Sequence, residues 1–128
     1  MTLAAKALRP IILICDDEPP LRELVQAALG DRYDFVEAEN VDDAESVLSE
    51  TTPALIVLDV MLPGKSGLDF LAELRSGAPA RDVPVVVVSA WQAPEQQRAA
   101  LAAGASAFLG KPFDPAHLAS IVEELVDA

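Results

Sequence analysis

Ile11-Ile12-Leu13-Ile14-Cys15-Asp16-Asp17-Glu18 turns from five apolar residues to three acids with nothing in between. Five residues are too few for a helix, and unbroken rather than alternating apolarity marks a strand covered on both faces. Pro19 and Pro20 follow, and proline fits the first turn of a helix. Leu21, Leu24, Val25, Ala28 and Leu29 then recur at helical spacing until Gly30 supplies a stop. Strand, acidic turn, helix: this unit decides the fold, because variants of it fill the rest of the chain.

Asp34 to Ala38 reads as a weakly patterned second strand, and Val41, Ala44, Val47 and Leu48 as a second amphipathic helix ended before Pro53. Ala54 to Leu58 is another buried strand, followed by a loop with Pro63, Gly64 and Gly67. Leu68, Leu71 and Leu74 form a third helical stripe closed by Gly77. Val83 to Val88, almost all valine, is the most strand-like segment. Pro94 to Ala103 predicts a helix with a thin apolar face ended by Gly104, and Ala107 to Leu109 a short last strand. Asp114 can cap a final helix with Pro115 in its first turn and Leu118, Ile121, Val122 and Leu125 as its stripe. Five strands alternating with five helices imply an α/β fold, a doubly wound parallel sheet with helices on both faces.

Composition agrees with one such domain. The chain has 128 residues, 52% of them hydrophobic and 23% charged, which argues against disorder. Nine basic against 21 acidic residues leave a formal net charge of −12, a surface that repels nucleic acid phosphate and anionic lipid. One cysteine cannot close an internal disulfide. The apolar stretch from Ile11 stops at Asp16, far short of the ~20 residues that span a bilayer. The expectation is a cytoplasmic domain over residues 6–128 behind a flexible N-terminus at 1–5, without membrane contact and without nucleic acid contact of its own.

In parallel sheets of this kind, ligands sit at the carboxyl ends of the strands. Asp16 and Asp17 stand there after the first run, Asp59 after the third, Ser89 after the valines, and Lys111-Pro112 after Phe108 to Gly110. Taken singly, each has a plainer reading: an aspartate after a strand is usually a turn or cap residue, and a lysine a solvated one. All of them at strand ends together is a different matter. Clustered carboxylates repel one another, a divalent cation removes the conflict, and oxygen-only donors suit Mg²⁺. No Cys/His cluster offers a zinc site. Cys15 reads as an inert core thiol and His117 as a residue of the last helix's first turn.

The stretches Ile-Leu-Ile-Cys-Asp16-Asp17-Glu18, Leu-Asp59-Val-Met-Leu-Pro63-Gly64, Val-Ser89-Ala90 and Phe108-Leu-Gly-Lys111-Pro112-Phe113 resemble those of response-regulator receiver domains of two-component signalling, over essentially the whole chain. The resemblance implies a flavodoxin-like (βα)5 fold with strand order 2-1-3-4-5. It implies Asp59 as phosphoacceptor, and Asp17, Asp59 and the Met61 carbonyl as holders of Mg²⁺, with Asp16 acting mainly through water. Lys111 would pair with phosphoryl oxygens and Ser89 would turn to hydrogen-bond one of them. Phe108 matches a switch aromatic that is often tyrosine, so packing alone must set its position. Met61 and Trp91, two residues beyond Asp59 and Ser89, are places where the family varies. Both are large and non-acidic here, so they should crowd the approach of a hydrolytic water. A cis Lys111–Pro112 bond is expected in the turn that aims Lys111.

The implied function is a phosphorylation-controlled receiver rather than an enzyme in its own right. It would be charged by a histidine kinase or histidine phosphotransfer protein, and would signal to a protein target through its fourth helix, fifth strand and fifth helix. A receiver fragment of a longer regulator, for example a DNA-binding one, is the second reading. A haloacid-dehalogenase-type phosphohydrolase lacks support, because Asp16-Asp17-Glu18 is not that family's alternating Asp pair. A flavodoxin is disfavoured because the acidic first turn would repel a flavin phosphate.

Overall fold

The computed structural model describes residues 9–62, 64, 66–77 and 80–127. The N-terminus expected to be flexible at 1–5, and Pro63, lie outside the described residues. Five strands, β1 (Ile11–Cys15), β2 (Asp34–Ala38), β3 (Leu55–Asp59), β4 (Val85–Ser89) and β5 (Ala107–Gly110), form one parallel sheet in the order β2-β1-β3-β4-β5. Among the described residues five α-helices connect or follow them: α1 (Pro19–Leu29), α2 (Val41–Glu50), α3 (Gly67–Ser76), α4 (Pro94–Ala103) and α5 (Pro115–Asp127). The doubly wound fold expected from the sequence is the one observed.

Alternate strand residues point to opposite faces, so each buried run feeds two cores. Leu13, Ile56, Leu58, Val85 and Val87 pack with Val41, Ala44, Phe70, Leu71, Leu74 and Ala100, beneath α2, α3 and α4. Ile12, Ile14, Leu55, Val57, Val86 and Val88 pack with Val25, Leu29, Leu118 and Val122, beneath α1 and α5. Each such aliphatic side chain contributes about 1.5–3 kcal/mol on burial. This is why the central strands tolerate no polar residue before their last position.

The ends differ in ways that matter for the site. β3 and β4 run on through Asp59 and Ser89, so these are the last residues of their strands rather than the first beyond them. Val83, expected to start the fourth strand, instead donates its N–H to the Ala80 carbonyl at 3.1 Å, closing a short turn before Pro84. Asn40 and Asp114 cap α2 and α5: their side chains accept from the N–H of Asp43 at 2.8 Å and of Ala116 at 2.9 Å.

One expected stripe needs correction. On α1 the buried residues are Arg22, Val25 and Leu29, while Leu24 is exposed. The guanidinium of Arg22 tolerates burial because its donors are matched: Nη1 to the Asp16 carbonyl at 2.7 Å and Nε to Glu37 at 2.8 Å. On α4 the one large apolar residue, Leu101, is exposed, and Ala100 is the buried one. This helix is therefore thinly anchored, as its sequence suggests. The Lys111–Pro112 peptide is cis, as expected.

Candidate functional site

The sheet order puts β1 between β2 and β3, so the carboxyl ends of β1 and β3 lie side by side, with β4 and β5 next. Main-chain bonds then fix each side chain. Asp16 N–H continues the ladder to the Ala38 carbonyl at 2.9 Å. Gly67, the first residue of α3, packs against Val60, and a methyl group built there would overlap the Val60 Cα and crowd the Asp59 carbonyl. The missing side chain lets α3 close onto the turn that follows Asp59.

Asp16 and Asp59 are 2% and 4% exposed, a rare environment for carboxylates and one that demands partners. The Lys111 ammonium, reaching over from β5, supplies them: Nζ lies 3.0 Å from Asp16 Oδ2, 3.0 Å from Asp59 Oδ2 and 3.5 Å from Glu18 Oε1. The remaining oxygens accept backbone donors, Asp16 Oδ1 from Glu18 N–H and Asp59 Oδ1 from Met61 N–H, both at 2.9 Å. The two oxygens of Asp59 are thus inequivalent, one tied to its own turn and one facing the ammonium.

Burial raises the Asp16 carboxyl above the usual range, and the charge of Asp59 adds to this, while the Glu18 N–H and Lys111 pull against it. Burial alone would lower the Lys111 ammonium, but hydrogen bonds and charge from Asp59 and Asp16 outweigh it and hold the group above its ordinary value. Next to them, the Cys15 thiol is pushed up to about 12, first by burial and then by the charges of Asp16 and Asp59. That supports the reading of Cys15 as inert.

Oxygens of Asp16, Asp17, Glu18 and Asp59 come within 4.8 Å of one another. Two of these residues are buried and two exposed, so the set offers hard oxygen donors on one side and room for water on the other. That donor set fits Mg²⁺, which keeps several waters and takes one or two carboxylates. Glu18 was not among the sequence candidates. Its place as the third consecutive acid of the first turn was the available signal.

Ser89 is buried, its Oγ accepting the Trp91 N–H at 3.1 Å and its carbonyl accepting the Lys111 N–H at 2.8 Å. Serine and lysine are therefore tied together through the main chain. Phe108 is half-buried against the core beneath α2, α3 and α4. Met61 and Trp91, each 54% exposed, line one cleft of about 370 Å³ with Val60, Leu62, Ser66, Leu68 and Gln96. The structure thus gathers Asp16, Asp17, Asp59, Ser89 and Lys111 at one edge, with Met61 and Trp91 beside it. His117 is exposed on α5.

Comparison with known proteins shows the family and the fold. The response regulator receiver domain family matches residues 12–123. The phosphate regulon transcriptional regulatory protein PhoB of Klebsiella pneumoniae is 40% identical over 116 residues, covering 90% of this chain and 51% of that protein. The chain spans about half the length of such curated relatives. Among solved structures, the signal receiver domain of a signal transduction histidine kinase from Syntrophus aciditrophicus superposes with a TM-score of 0.84 at 30% identity, covering 92% of this chain and 90% of that one. Chemotaxis response regulator CheY4 of Vibrio cholerae gives 0.83 at 25% identity, with coverages of 91% and 98%.

Proposed function

The chain belongs to the response regulator receiver domain family, and from that premise we propose that it accepts a phosphoryl group on Asp59. One observation carries the reading. A single ammonium stands 3.0 Å from an oxygen of each of two buried carboxylates, at the strand edge where ligands bind. In the transfer, an Asp59 oxygen forms a bond to phosphorus as the bond from phosphorus to the donor imidazole nitrogen breaks. The imidazole keeps the electron pair and takes up a proton. Catalysis of such a step is mostly positioning and charge neutralisation.

Each residue has a part in that. The Met61 N–H holds Asp59 Oδ1 and so orients the carboxylate. Lys111, already within reach of Oδ2, would exchange its carboxylate partner for the arriving phosphoryl oxygens. Ser89, its hydroxyl now occupied by the Trp91 N–H, would turn to bond a phosphoryl oxygen, and Phe108 would repack as it does. Asp16, Asp17 and Asp59, with the Met61 carbonyl, would hold Mg²⁺, and Glu18 stands close enough to join them. Bound there, the ion supplies positive charge that offsets the carboxylates and the phosphoryl group.

The partners follow from the same reading: a histidine kinase or histidine phosphotransfer protein upstream, and a protein target contacting α4, β5 and α5. The thin anchoring of α4 suits a surface that must change. A cytoplasmic location belongs to the same proposal, and separately, among the described residues, no helix is long and apolar enough to cross a membrane. A second reading, a receiver joined to a transcriptional output, is favoured by the half-length match to relatives such as PhoB.

Intact-mass measurement with a small acyl phosphate and Mg²⁺ tests the proposal. One added phosphoryl group is expected in the wild type, and none in Asp59→Asn or in excess chelator. Equal labelling of that variant overturns the assignment.

A further inference from the structure

Gln92, on the loop after β4, crosses to the end of β5. Its Nε2 donates to the Lys111 main-chain carbonyl at 2.8 Å, although the two residues are far apart in sequence. Its own carbonyl accepts from Gln97 Nε2 of α4 at 3.0 Å. Beneath the carboxamide lies Gly110, where a methyl group would overlap the Gln92 Cδ and Oε1. The glycine makes room for the crossing. Lys111 N–H meanwhile donates to the Ser89 carbonyl at 2.8 Å, so Lys111 is held on both sides of its Cα by the β4 edge and its loop.

We infer that Gln92 is a positioning residue for the phosphoryl site: it clamps the Lys111 main chain and so sets the placement of the Lys111 ammonium over Asp16 and Asp59. The inference rests on the phosphoacceptor reading above and deepens it. The clamp also joins three parts that must move together when a phosphoryl group arrives. They are the Ser89 loop, through the chain itself, Lys111, through its carbonyl, and α4, through Gln97. The Gln92 carboxamide donates to the Lys111 carbonyl rather than to an acid of the cluster, so its effect on the carboxylates runs through Lys111.

Two substitutions remove the same contact from opposite sides. Gln92→Ala deletes the carboxamide. Gly110→Ala keeps it but expels it, at little cost to the fold because the clash is with the far end of a flexible side chain. One neutral hydrogen bond corresponds to about fivefold in a rate or equilibrium. Each single variant should therefore label from a small acyl phosphate with Mg²⁺ about fivefold more slowly than wild type, with a thermal midpoint lowered by only a few degrees. The double variant should be no slower than either single one, since both act on one contact. Wild-type rates in Gln92→Ala, additive losses in the double variant, or losses that come with global unfolding at the assay temperature each overturn the inference.

A second readout needs no phosphorylation. In spectra of the untreated protein, the Lys111 carbonyl carbon and ammonium nitrogen signals should both move in either variant. An ammonium signal unchanged while the carbonyl signal moves overturns the inference even if the wild type takes no label. Absence of label in the wild type would count only against the phosphoacceptor reading.

Discussion

Replacing Lys111 with methionine keeps much of the side chain's apolar length and removes its charge, so it isolates what the ammonium does for the fold. At 3.0 Å and an effective dielectric of about 20, each Lys111–aspartate pair has a gross attraction of about 5–6 kcal/mol. Desolvation of the three groups cancels much of that, and removing one partner of a buried pair leaves a net cost of about 3–5 kcal/mol. Asp16 and Asp59 would then face each other without a counter-charge. We expect a loss of about 3 kcal/mol in chelator at pH 7.5, or roughly 12 °C in thermal midpoint for a domain of this size.

The direction with pH follows from the same charges. In wild type the ammonium is held above its ordinary 10.5, so its stabilising effect is complete below that pH and lost only as pH rises through the higher folded value. In Lys111→Met the Asp16 carboxyl, already raised by burial, loses the ammonium that pulls it down, so its folded pKa must rise further above the unfolded one. Lowering the pH from 7.5 toward 5.5 should then recover part of the variant's stability and narrow its gap to wild type. Mg²⁺ at about 100 times its dissociation constant should recover about 2.7 kcal/mol. Urea denaturation at both pH values, with Mg²⁺ and with chelator, measures all of this. A variant as stable as wild type in chelator, or one indifferent to both Mg²⁺ and pH, refutes the reasoning.

Trp91, the chain's single tryptophan, follows Ser89, whose hydroxyl is proposed to turn, and gives it an N–H partner at 3.1 Å. Its emission should change when Mg²⁺ and then beryllofluoride are added, and constancy would separate this loop from the site. Met61 and Trp91 offer no carboxylate or amide to hold a water near Asp59, so the phosphorylated form should decay slowly; Met61→Asn with Trp91→Ser should hasten loss of the phosphoryl group severalfold, and equal decay of the two proteins speaks against crowding. Cys15, buried and with its thiol pushed up to about 12, should react with a thiol reagent at pH 8 only in denaturant. Reaction of the native protein faster than global unfolding would disprove that inertness.

The sheet and its helices were legible because continuous apolar runs alternate with helical stripes, and each run needs cover on both faces. The site was legible for a related reason. Once the strands are parallel, topology alone carries Asp16, Asp59, Ser89 and Lys111 to one edge, whatever their separation in sequence. What the sequence hid are contacts between a side chain and a distant main chain. A stripe drawn from apolar residues passes over Arg22, whose burial depends on a carbonyl at Asp16 and a carboxylate on β2. It equally passes over Arg75, whose guanidinium donates to the carbonyls of Gly104, Arg81 and Val83 at 3.0, 3.0 and 2.6 Å.

Gly110 shows the same limit more sharply. In the sequence it reads as the residue that ends a short strand, which is true and incomplete. The structure shows a second requirement at the same position, space for a carboxamide that arrives from the β4–α4 loop. A local pattern can report only local causes, and the reason for this glycine lies 18 positions back along the chain, at Gln92. Where the backbone must clear a path for a side chain from another loop, the glycine and its visitor become visible together or not at all.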